Sequence, residues 1–381
     1  MMPTRPSRSR FLFLFLFFTV LICLPALPAA DIPCVWTGVN KIVAVGDLHG
    51  AYDGFLEILK RTNIVDERLR WIAGKTHLVQ MGDVMDRGPD ARRIFDLMMK
   101  LEKEAAKAGG KIHALIGNHE MMNVTRIAFD YPGYVVPEQF VSFLPEKYKK
   151  LREKDFAEHI VGKDIKEIDT DLSTNQEIRN WWQAVIRIDP EARMKYSDHF
   201  NSVYGRWIME NNAVIKINEV VFVHGGISPG YSTVRIKDIN RKVREELGSL
   251  SKLPGPGGNG PNGSLPSVFD PAGPLWYRDL AWSNDPELAG EVDKILANLK
   301  ASHMVIAHSY RVGSLVAPEE MMSRYQGKVW SIDTGISSVY GGYLSALIIE
   351  NGKFTPWWEN DEKQNLRDLA FFIDHRPWSP L

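Results

Sequence analysis

Cysteine is nearly absent from this sequence of 381 residues, which contains only Cys23 and Cys34. Cys23 lies in an apolar run near the N-terminus, and removal of that run would leave Cys34 alone. Because a disulfide needs two thiols, the chain would then form no internal disulfide. We therefore expect Cys34 to be an unpaired thiol, and the fold to be held by its hydrophobic core and by any metal ions that it binds.

A large net charge of either sign is absent as well. The 46 Lys and Arg residues nearly balance the 47 Asp and Glu residues, which gives a net charge of -1. A chain of this kind has no global field that would draw it onto nucleic acid or anionic lipid. No basic stretch interleaved with aromatic residues suggests a nucleic-acid track either. We therefore expect no nucleic-acid partner.

The N-terminal apolar run is short for a membrane span. "FLFLFLFFTVLICL" has about 14 residues, against the roughly 20 that cross a bilayer as a helix. It follows an arginine-containing, acid-free segment and precedes "PALPAA", which is the order typical of a secretory signal peptide. We expect residues 1–30 to be removed, and residues 31–381 to be exported to a periplasm or secreted, without stable membrane association. A retained N-terminal membrane anchor is the alternative.

Several short apolar runs each end in polar residues. They are "KIVAVGDLHG" (41–50), "THLVQMGDVMDRG" (76–88), "KIHALIGNHE" (111–120), "EVVFVHGG" (219–226), "HMVIAHS" (303–309) and "KVWSIDTG" (328–335). Their length and β-branched content predict strands that lead into loops. Apolar residues at helical spacing between the first three runs predict βαβ units with parallel strands, and therefore an α/β fold.

Three segments depart from this pattern. Residues of about 130 to 210 show helical spacing, and we interpret them as a helical insertion that either caps the catalytic edge or only decorates the fold. Residues 253–266, "LPGPGGNGPNGSLP", contain too much Gly and Pro to pack and predict a flexible loop. The stretch "GGYLSALIIENGKFTPWW" predicts an antiparallel hairpin around Asn351-Gly352.

The polar residues at the ends of the predicted strands indicate a metal site. They are Asp47, His49, Asp83, Asn118, His119, His224 and His308. We expect them to converge on one edge of one sheet, where α/β proteins bind ligands. Carboxylate, carboxamide and imidazole ligands without thiolate suit Mn, Fe, Zn or Mg rather than a soft metal. The set is too large for one ion, and a bridging carboxylate such as Asp83 would allow two ions to activate a shared water.

The motifs "GDLHG", "GDVMDRG", "GNHE" and "HGGIS" resemble the signature of the calcineurin-like metallophosphoesterases, and more narrowly the PPP-type phosphoprotein phosphatases. "WSIDTGISSVYGG" and "GPLWYRDLAW" are most similar to the Shewanella-like protein phosphatases. The resemblance covers roughly residues 41 to 350. It implies a sandwich of mixed β-sheets flanked by helices, and a phosphomonoesterase that acts on phosphoproteins at Ser/Thr or Tyr.

The resemblance also implies two divalent ions, with Mn expected and Fe, Zn or Mg as alternatives. The residues that would hold them are Asp47, His49, Asp83, Asn118, His224 and His308. In this arrangement Asp83 bridges the ions, and a hydroxide shared by them attacks phosphorus directly, in line, without a phosphoenzyme. His308 is preferred to His303 because it ends its predicted strand.

The remaining roles implied by the resemblance concern the substrate. His119 would protonate the leaving oxygen, and Asp86 would orient the imidazole of His119 and raise its basicity. Arg87, Arg278 and Asn118 would bind the substrate phosphate, for which a planar guanidinium is suited. A surface position is the alternative for Arg278.

Other functions remain open at this point. A nucleotide, dinucleoside-tetraphosphate or other small-molecule phosphoester hydrolase of the same fold is the main alternative. A nuclease is disfavoured by the lack of a basic track, and an inactive binding module is disfavoured because no ligand of the motif set is missing. Glu120 is either a supporting residue of the site or a charge at a helix N-terminus. His77 and His113 are expected to be packing or surface histidines.

Overall fold

The computed structural model describes residues 32–253, 265–283, 285–310 and 321–359. The expected signal peptide and most of the expected flexible loop lie outside the described residues. Within them, two mixed β-sheets pack against each other and helices cover their outer faces. The α/β fold and the sandwich of mixed sheets predicted from the sequence are confirmed.

One sheet has five strands in the order β11-β10-β2-β3-β4. Strands β2 (Lys41–Val45), β3 (His77–Gln80) and β4 (Lys111–Ala114) are parallel. Helix α1 (Tyr52–Arg61) connects the first pair and α2 (Ala91–Ala108) connects the second, which gives the two expected βαβ units. Strands β10 (Ser345–Glu350) and β11 (Lys353–Trp358) form the expected hairpin, and β10 pairs antiparallel with β2.

The other sheet has six strands in the order β1-β5-β6-β7-β9-β8. Its members are β1 (Val35–Trp36), β5 (Val214–Ile217), β6 (Val220–Val223), β7 (His303–Ile306), β8 (Met322–Arg324) and β9 (Val329–Ser331). Strands β6, β7 and β9 are parallel to one another. Between β6 and β7 lie α9 (Ile236–Leu250), the short α10 (Asp279–Trp282) and α11 (Glu287–Leu299).

Successive side chains of a strand point alternately into two hydrophobic cores. Ile42 and Ala44 of β2 lie in the core between the sheets, whereas Val43 and Val45 lie in the core beneath the helices. Successive side chains of a strand point to opposite faces, so a continuous apolar run is needed where both faces are covered. This double burial explains why most positions of the predicted strands are apolar.

The stretch of chain between β4 and β5 is a helical segment. It contains α3 (Asn118–Val124), α4 (Pro137–Phe143), α5 (Glu146–Asp155), α6 (Gln176–Ile188), α7 (Pro190–Phe200) and α8 (Arg206–Met209). Its buried side chains join the core beneath the helices and are rich in aromatic rings, with those of Phe140 and Tyr196 stacked 5.2 Å apart. None of the helices in the described part of the chain combines the length and the apolar character that a bilayer crossing requires.

Candidate metal and phosphate site

The predicted ligands lie together, but they come from both sheets rather than from one. Asp47 and His49 follow β2, Asp83 follows β3 and Asn118 begins α3 after β4, whereas His224 and His308 follow β6 and β7. None of the six side chains is more than 5% exposed. The expectation of a single sheet was wrong because hydrophobic periodicity identifies a strand but not the sheet that the strand joins. The carboxyl ends of the parallel strands of both sheets meet at one edge of the sandwich.

Asp83 occupies the centre of the site. Its Oδ2 atom lies 3.3 Å from Nε2 of His224, and 3.9 Å from Nε2 of each of His49 and His119. Two groups of side chains could therefore each hold a metal ion, and both include Asp83. Within each group, the donor atoms all lie within 4.8 Å of one another. One group adds His49 and His119, and the other adds His224 and His308. A carboxylate shared by two such groups is placed as a bridging ligand would be.

Asp47 lies near the histidines that follow the strands of the six-stranded sheet. Neither compact donor group found among the described residues contains it. Its Oδ1 atom lies 3.8 Å from Nδ1 of His224 and accepts a hydrogen bond from the backbone N–H of His308 at 3.3 Å. Asp47 therefore lies on the side of the site where the second sheet ends.

Sequence reasoning gave no role to Asp333, which follows β9 and is buried in the site. Burial and the charge of Asp83 raise its pKa to about 6. Burial and the charge of Asp333 in turn raise the pKa of Asp47 well above its usual range. The signal that could have found Asp333 was its place at the end of the run "KVWSIDTG", since every other run of this kind contributes a side chain to the site.

The donor set fits divalent cations. Asp47, Asp83 and Asp333 crowd their carboxylates in a buried space, which is costly unless a positive charge is present. Nε2 of His308 is buried and has no hydrogen-bond partner among the described residues, although its imidazole faces the other ligands. Oxygen and imidazole donors together suit Mn, Fe or Zn, and an all-oxygen calcium site is excluded by the three or more histidines.

The turn "MGDVMDRG" holds a strained backbone. Positive φ angles occur at Asp83 (55°), Asp86 (67°) and Arg87 (71°), and residues other than glycine rarely adopt this conformation. Such strain is found where the surrounding structure fixes it, often at functional sites. Gly82 precedes this run with a φ of 97°, and a Cβ atom there would lie 2.9 Å from Nδ1 of His224.

Glu120 fixes this turn from α3. Its carboxylate accepts hydrogen bonds from the backbone N–H groups of Asp83 at 2.7 Å, Val84 at 2.8 Å and Met85 at 3.3 Å, and from that of Gly117 at 2.9 Å. Burial, followed by the charge of Asp83, raises the pKa of Glu120 to about 7. Glu120 is therefore a supporting residue of the site as well as an acidic group in the first turn of a helix.

His119 and Asp86 form a buried pair. Nδ1 of His119 lies 2.7 Å from Oδ2 of Asp86, and both side chains are almost inaccessible to solvent. Burial lowers the pKa of His119, but the carboxylates of Asp83 and Asp86 outweigh it, so the pKa is raised above its ordinary value. A protonated imidazole beside the central carboxylate can donate a proton to a nearby oxygen.

The two predicted phosphate-binding arginines both lie at the site. The guanidinium of Arg87 stacks 4.0 Å from the ring centre of Tyr134, and its buried Nε has no hydrogen-bond partner among the described residues. The guanidinium of Arg278 donates a hydrogen bond to the backbone oxygen of His308 and lies 4.9 Å from the ring centre of Trp282. Arg278 is thus attached to a candidate ligand rather than located on a remote surface.

An open groove begins at Arg278. It has a volume of about 890 Å³ and is mostly apolar. Aromatic side chains line much of it: Tyr131, Phe269, Trp276, Tyr277 and Trp282. The ring of Trp276 meets that of His308 edge-on at 5.8 Å, so the groove leads directly to the candidate metal ligands.

Comparison with known proteins agrees with this geometry. A family model described as calcineurin-like phosphoesterase matches residues 40–312. Shewanella-like protein phosphatase 1 of Plasmodium berghei (strain Anka) is 25% identical over 349 residues, which cover 84% of this chain and 77% of that protein. Shewanella-like protein phosphatase 2 of Arabidopsis thaliana is 31% identical over 215 residues, which cover 54% of this chain and 51% of that protein.

A solved structure has the same fold. The crystal structure of a cold-active protein-tyrosine phosphatase of a psychrophile, Shewanella sp., superposes with a TM-score of 0.58 at 24% identity, over 86% of this chain and 82% of that one. The family model spans well over half of the 381 residues and contains nearly all of the residues that build the site. The chain therefore belongs to the calcineurin-like phosphoesterases and is a hydrolase that acts on phosphoesters.

Proposed function

We propose that this protein is a metal-dependent phosphomonoesterase whose substrates are phosphoproteins. The main observation in support of this reaction is the buried pair of His119 and Asp86 beside the central carboxylate of Asp83. An alkoxide or phenoxide leaves phosphorus as a strong base, so its departure needs a proton donor at this position. The 2.7 Å contact of His119 Nδ1 with the carboxylate of Asp86 supports that role, because it leaves Nε2 facing Asp83.

The candidate ligands would hold two divalent ions, with Mn as the expected metal. By the motif resemblance, Asp47 and His49 would hold one ion and Asn118, His224 and His308 the other, with Asp83 serving both. The geometry supports the shared role of Asp83, since the two compact donor groups both include it. Such a pair of ions supplies activation of water for direct, in-line attack on phosphorus, together with neutralisation of charge on the phosphoryl oxygens. No phosphoenzyme is proposed.

The arginines would bind the phosphate group. The buried Nε of Arg87 has no partner within the described part of the chain, and the guanidinium plane stacks on the ring of Tyr134. The guanidinium of Arg278 donates one hydrogen bond to the backbone of His308, and its other N–H groups could bind an anion. Two guanidinium groups suit the dianion of a monoester better than the single charge of a diester.

The groove beside Arg278 supports a protein substrate. A volume of about 890 Å³ with aromatic walls exceeds what a phosphate and a small leaving group need, and it can take the residues that flank a phosphorylated side chain. Two relatives of the chain carry the name protein phosphatase, which supports the same substrate class. Both phosphotyrosine and phosphoserine or phosphothreonine remain candidate substrates.

The test uses purified protein stripped of metal and reloaded with Mn, Fe, Zn or Mg. Each form is assayed on a phosphotyrosine peptide, a phosphoserine peptide, a dinucleoside tetraphosphate and an aryl phosphate. Metal-dependent turnover with the highest kcat/KM on one phosphopeptide supports the proposal and names the phosphorylated residue. Preference for the dinucleotide or the aryl ester would instead assign a small-molecule phosphoesterase.

A groove variant separates peptide binding from chemistry. Leu265 lines the groove and is 58% exposed, whereas Ile188 at the end of α6 is 73% exposed and does not line it. Leu265→Ser should raise KM about fivefold for the phosphopeptide, since partial burial of a leucine contributes about 1 kcal/mol, and should leave the aryl phosphate unaffected. Ile188→Ser is the matched control and should change neither substrate.

We also propose that residues 1–30 direct export of the chain. The support is the order of basic, apolar and small residues in the sequence. Cell fractionation with mass spectrometry of the mature N-terminus tests this proposal. Recovery of an intact N-terminus in the membrane fraction would indicate the anchor instead.

A further inference from the structure

The carboxylate of Asp86 is held by residues outside the signature motifs. It is fully buried, and its oxygens accept hydrogen bonds from Nδ2 of Asn123 at 3.0 Å each and from Nε2 of Gln139 at 2.8 Å, in addition to the contact with His119. Asn123 belongs to α3 and Gln139 to α4. The orientation of the catalytic pair therefore depends on two amide side chains that the motifs do not include.

Gln139 makes a two-point contact with Asp86. Its Oε1 accepts a hydrogen bond from the backbone N–H of Asp86 at 2.7 Å, while its Nε2 donates to the carboxylate of the same residue. Because a backbone N–H can only donate and a carboxylate can only accept, the amide has one orientation that satisfies both. This contact fixes the backbone of Asp86, which has a φ of 67°, and its side chain at the same time.

Tyr196 of α7 joins the two amides. Its hydroxyl donates to Oδ1 of Asn123 at 2.8 Å and accepts from Nε2 of Gln139 at 3.3 Å. Its fully buried ring stacks on Phe140 at 5.2 Å, and Phe143 and Phe200 pack around it. The aromatic core of the helical segment thus sets the position of the hydroxyl, and the hydroxyl sets the rotation of both amides.

We propose that Gln139, Asn123 and Tyr196 are positioning residues for proton donation by His119. With its oxygens fixed, Asp86 receives the Nδ1–H of His119, so the exchangeable proton is carried by Nε2, which lies 3.9 Å from the central carboxylate of Asp83. The helical segment then contributes to catalysis and not only to folding. This inference rests on the proposed role of His119 and is independent of whether the substrate is a phosphoprotein.

The test measures how the loss of activity depends on the leaving group. Phenyl phosphate has a basic leaving group that needs a proton, whereas 2,4-dinitrophenyl phosphate has a weakly basic one that leaves without it. Gln139→Leu should lower kcat for phenyl phosphate about 30-fold and for the dinitrophenyl ester less than about 3-fold, because general acid catalysis contributes roughly 10² or more. Metal content and KM should not change.

Tyr196→Phe is the milder variant and removes only the hydroxyl. It should show the same dependence on the leaving group with a smaller amplitude, and it keeps the proposal testable if Gln139→Leu does not fold. Tyr204→Phe is the matched control, since Tyr204 is a neighbouring tyrosine whose ring contacts Phe143 and Phe200 but whose hydroxyl binds Asp96 at 2.7 Å, away from the pair. It should leave the ratio of the two substrates unchanged.

A second readout needs no turnover. In the protein loaded with diamagnetic Zn or Mg, the Nδ1 proton of His119 in its contact with Asp86 should give a downfield ¹H NMR resonance that Asp86→Asn removes. Gln139→Leu should broaden this resonance through faster exchange with water. Equal losses on both esters, or an unchanged resonance in Gln139→Leu, would assign these residues to packing alone. A different result would overturn only the phosphoprotein proposal. In that case the wild type would turn over phosphopeptides poorly, while Gln139→Leu would still lose more activity on phenyl phosphate than on the dinitrophenyl ester.

Discussion

A buried pair of histidines at the end opposite the candidate site should make the fold sensitive to acid. Nε2 of His113 lies 3.0 Å from Nδ1 of His77, and the ring of Trp36 packs edge-on against His113 at 4.3 Å. Burial, followed by the charge of Lys111, lowers the pKa of His77 to about 4. Burial and the neighbouring His77 lower the pKa of His113 as well.

The sign and size of the effect follow from these shifts. The unfolded chain takes up a proton on His77 near its ordinary pKa of about 6.5, whereas the folded protein takes it up only near its lowered pKa of about 4, so stability is lost as the pH falls through that interval. The lowered pKa of His113 acts in the same direction. The shift of His77 alone corresponds to about 2 kcal/mol between pH 7.5 and pH 5. Discounted for residual solvent contact, we expect about 1 to 2 kcal/mol.

The assay is urea unfolding at pH 7.5 and pH 5.0 with the same metal loading. Other buried groups also titrate over this interval, so the loss of stability is compared between the wild type and the variant His77→Gln. His77→Gln cannot be protonated, and it should lose about 1 to 2 kcal/mol less stability than the wild type over this interval. His159→Gln, at an exposed histidine, is the control and should behave as the wild type. If wild type and His77→Gln lost the same stability, the argument from burial would be refuted.

Three further substitutions address the site. Asp83→Asn should lower the metal content, measured by elemental analysis, and should lower turnover by more than about 100-fold, because it removes the shared ligand. Full metal content in this variant would contradict the dinuclear arrangement. Arg87→Ala should keep the metal but lower kcat/KM roughly 10- to 100-fold, since a charge-assisted hydrogen bond is lost; an unchanged kcat/KM for all esters would exclude phosphate binding by Arg87. Gly117→Ala places a Cβ atom 2.3 Å from Oδ1 of Asp83, so it should reduce metal affinity in calorimetric titration, and wild-type affinity would show that the turn can yield.

Much of the site could be predicted because its ligands are local to the ends of strands. The motif "GDVMDRG" brings Asp83, Asp86 and Arg87 onto one turn, whatever the rest of the fold does. The βαβ units could be predicted for the same reason, since periodicity and short connections reveal them directly. The assignment of strands to sheets could not, because β6 and β7 resemble β2 and β3 in composition but pair within the other sheet.

Contacts between distant parts of the chain were also beyond the sequence pattern. Gln139 is 53 residues from Asp86 and has no motif around it, and as an isolated glutamine in a helix it resembles any surface residue. Asp333 approaches Asp47 only because β9 and β2, in different sheets, end at the same edge of the sandwich. In both cases the functional meaning depends on a distance in space that hydrophobic periodicity does not encode.

The strained turn explains why these distant contacts are needed. Consecutive backbone N–H groups of a turn with positive φ angles have no partners in a helix or a sheet, and leaving them buried and unpaired would cost about 1 to 3 kcal/mol each. Glu120 accepts the N–H groups of Asp83 and Val84, and Gln139 accepts that of Asp86. The turn that carries a proposed metal ligand, the partner of the proposed acid and a proposed phosphate ligand is therefore stable only against α3 and α4. Deletion of α4 (Pro137–Phe143) should for this reason abolish activity even though this helix contains no proposed metal or phosphate ligand.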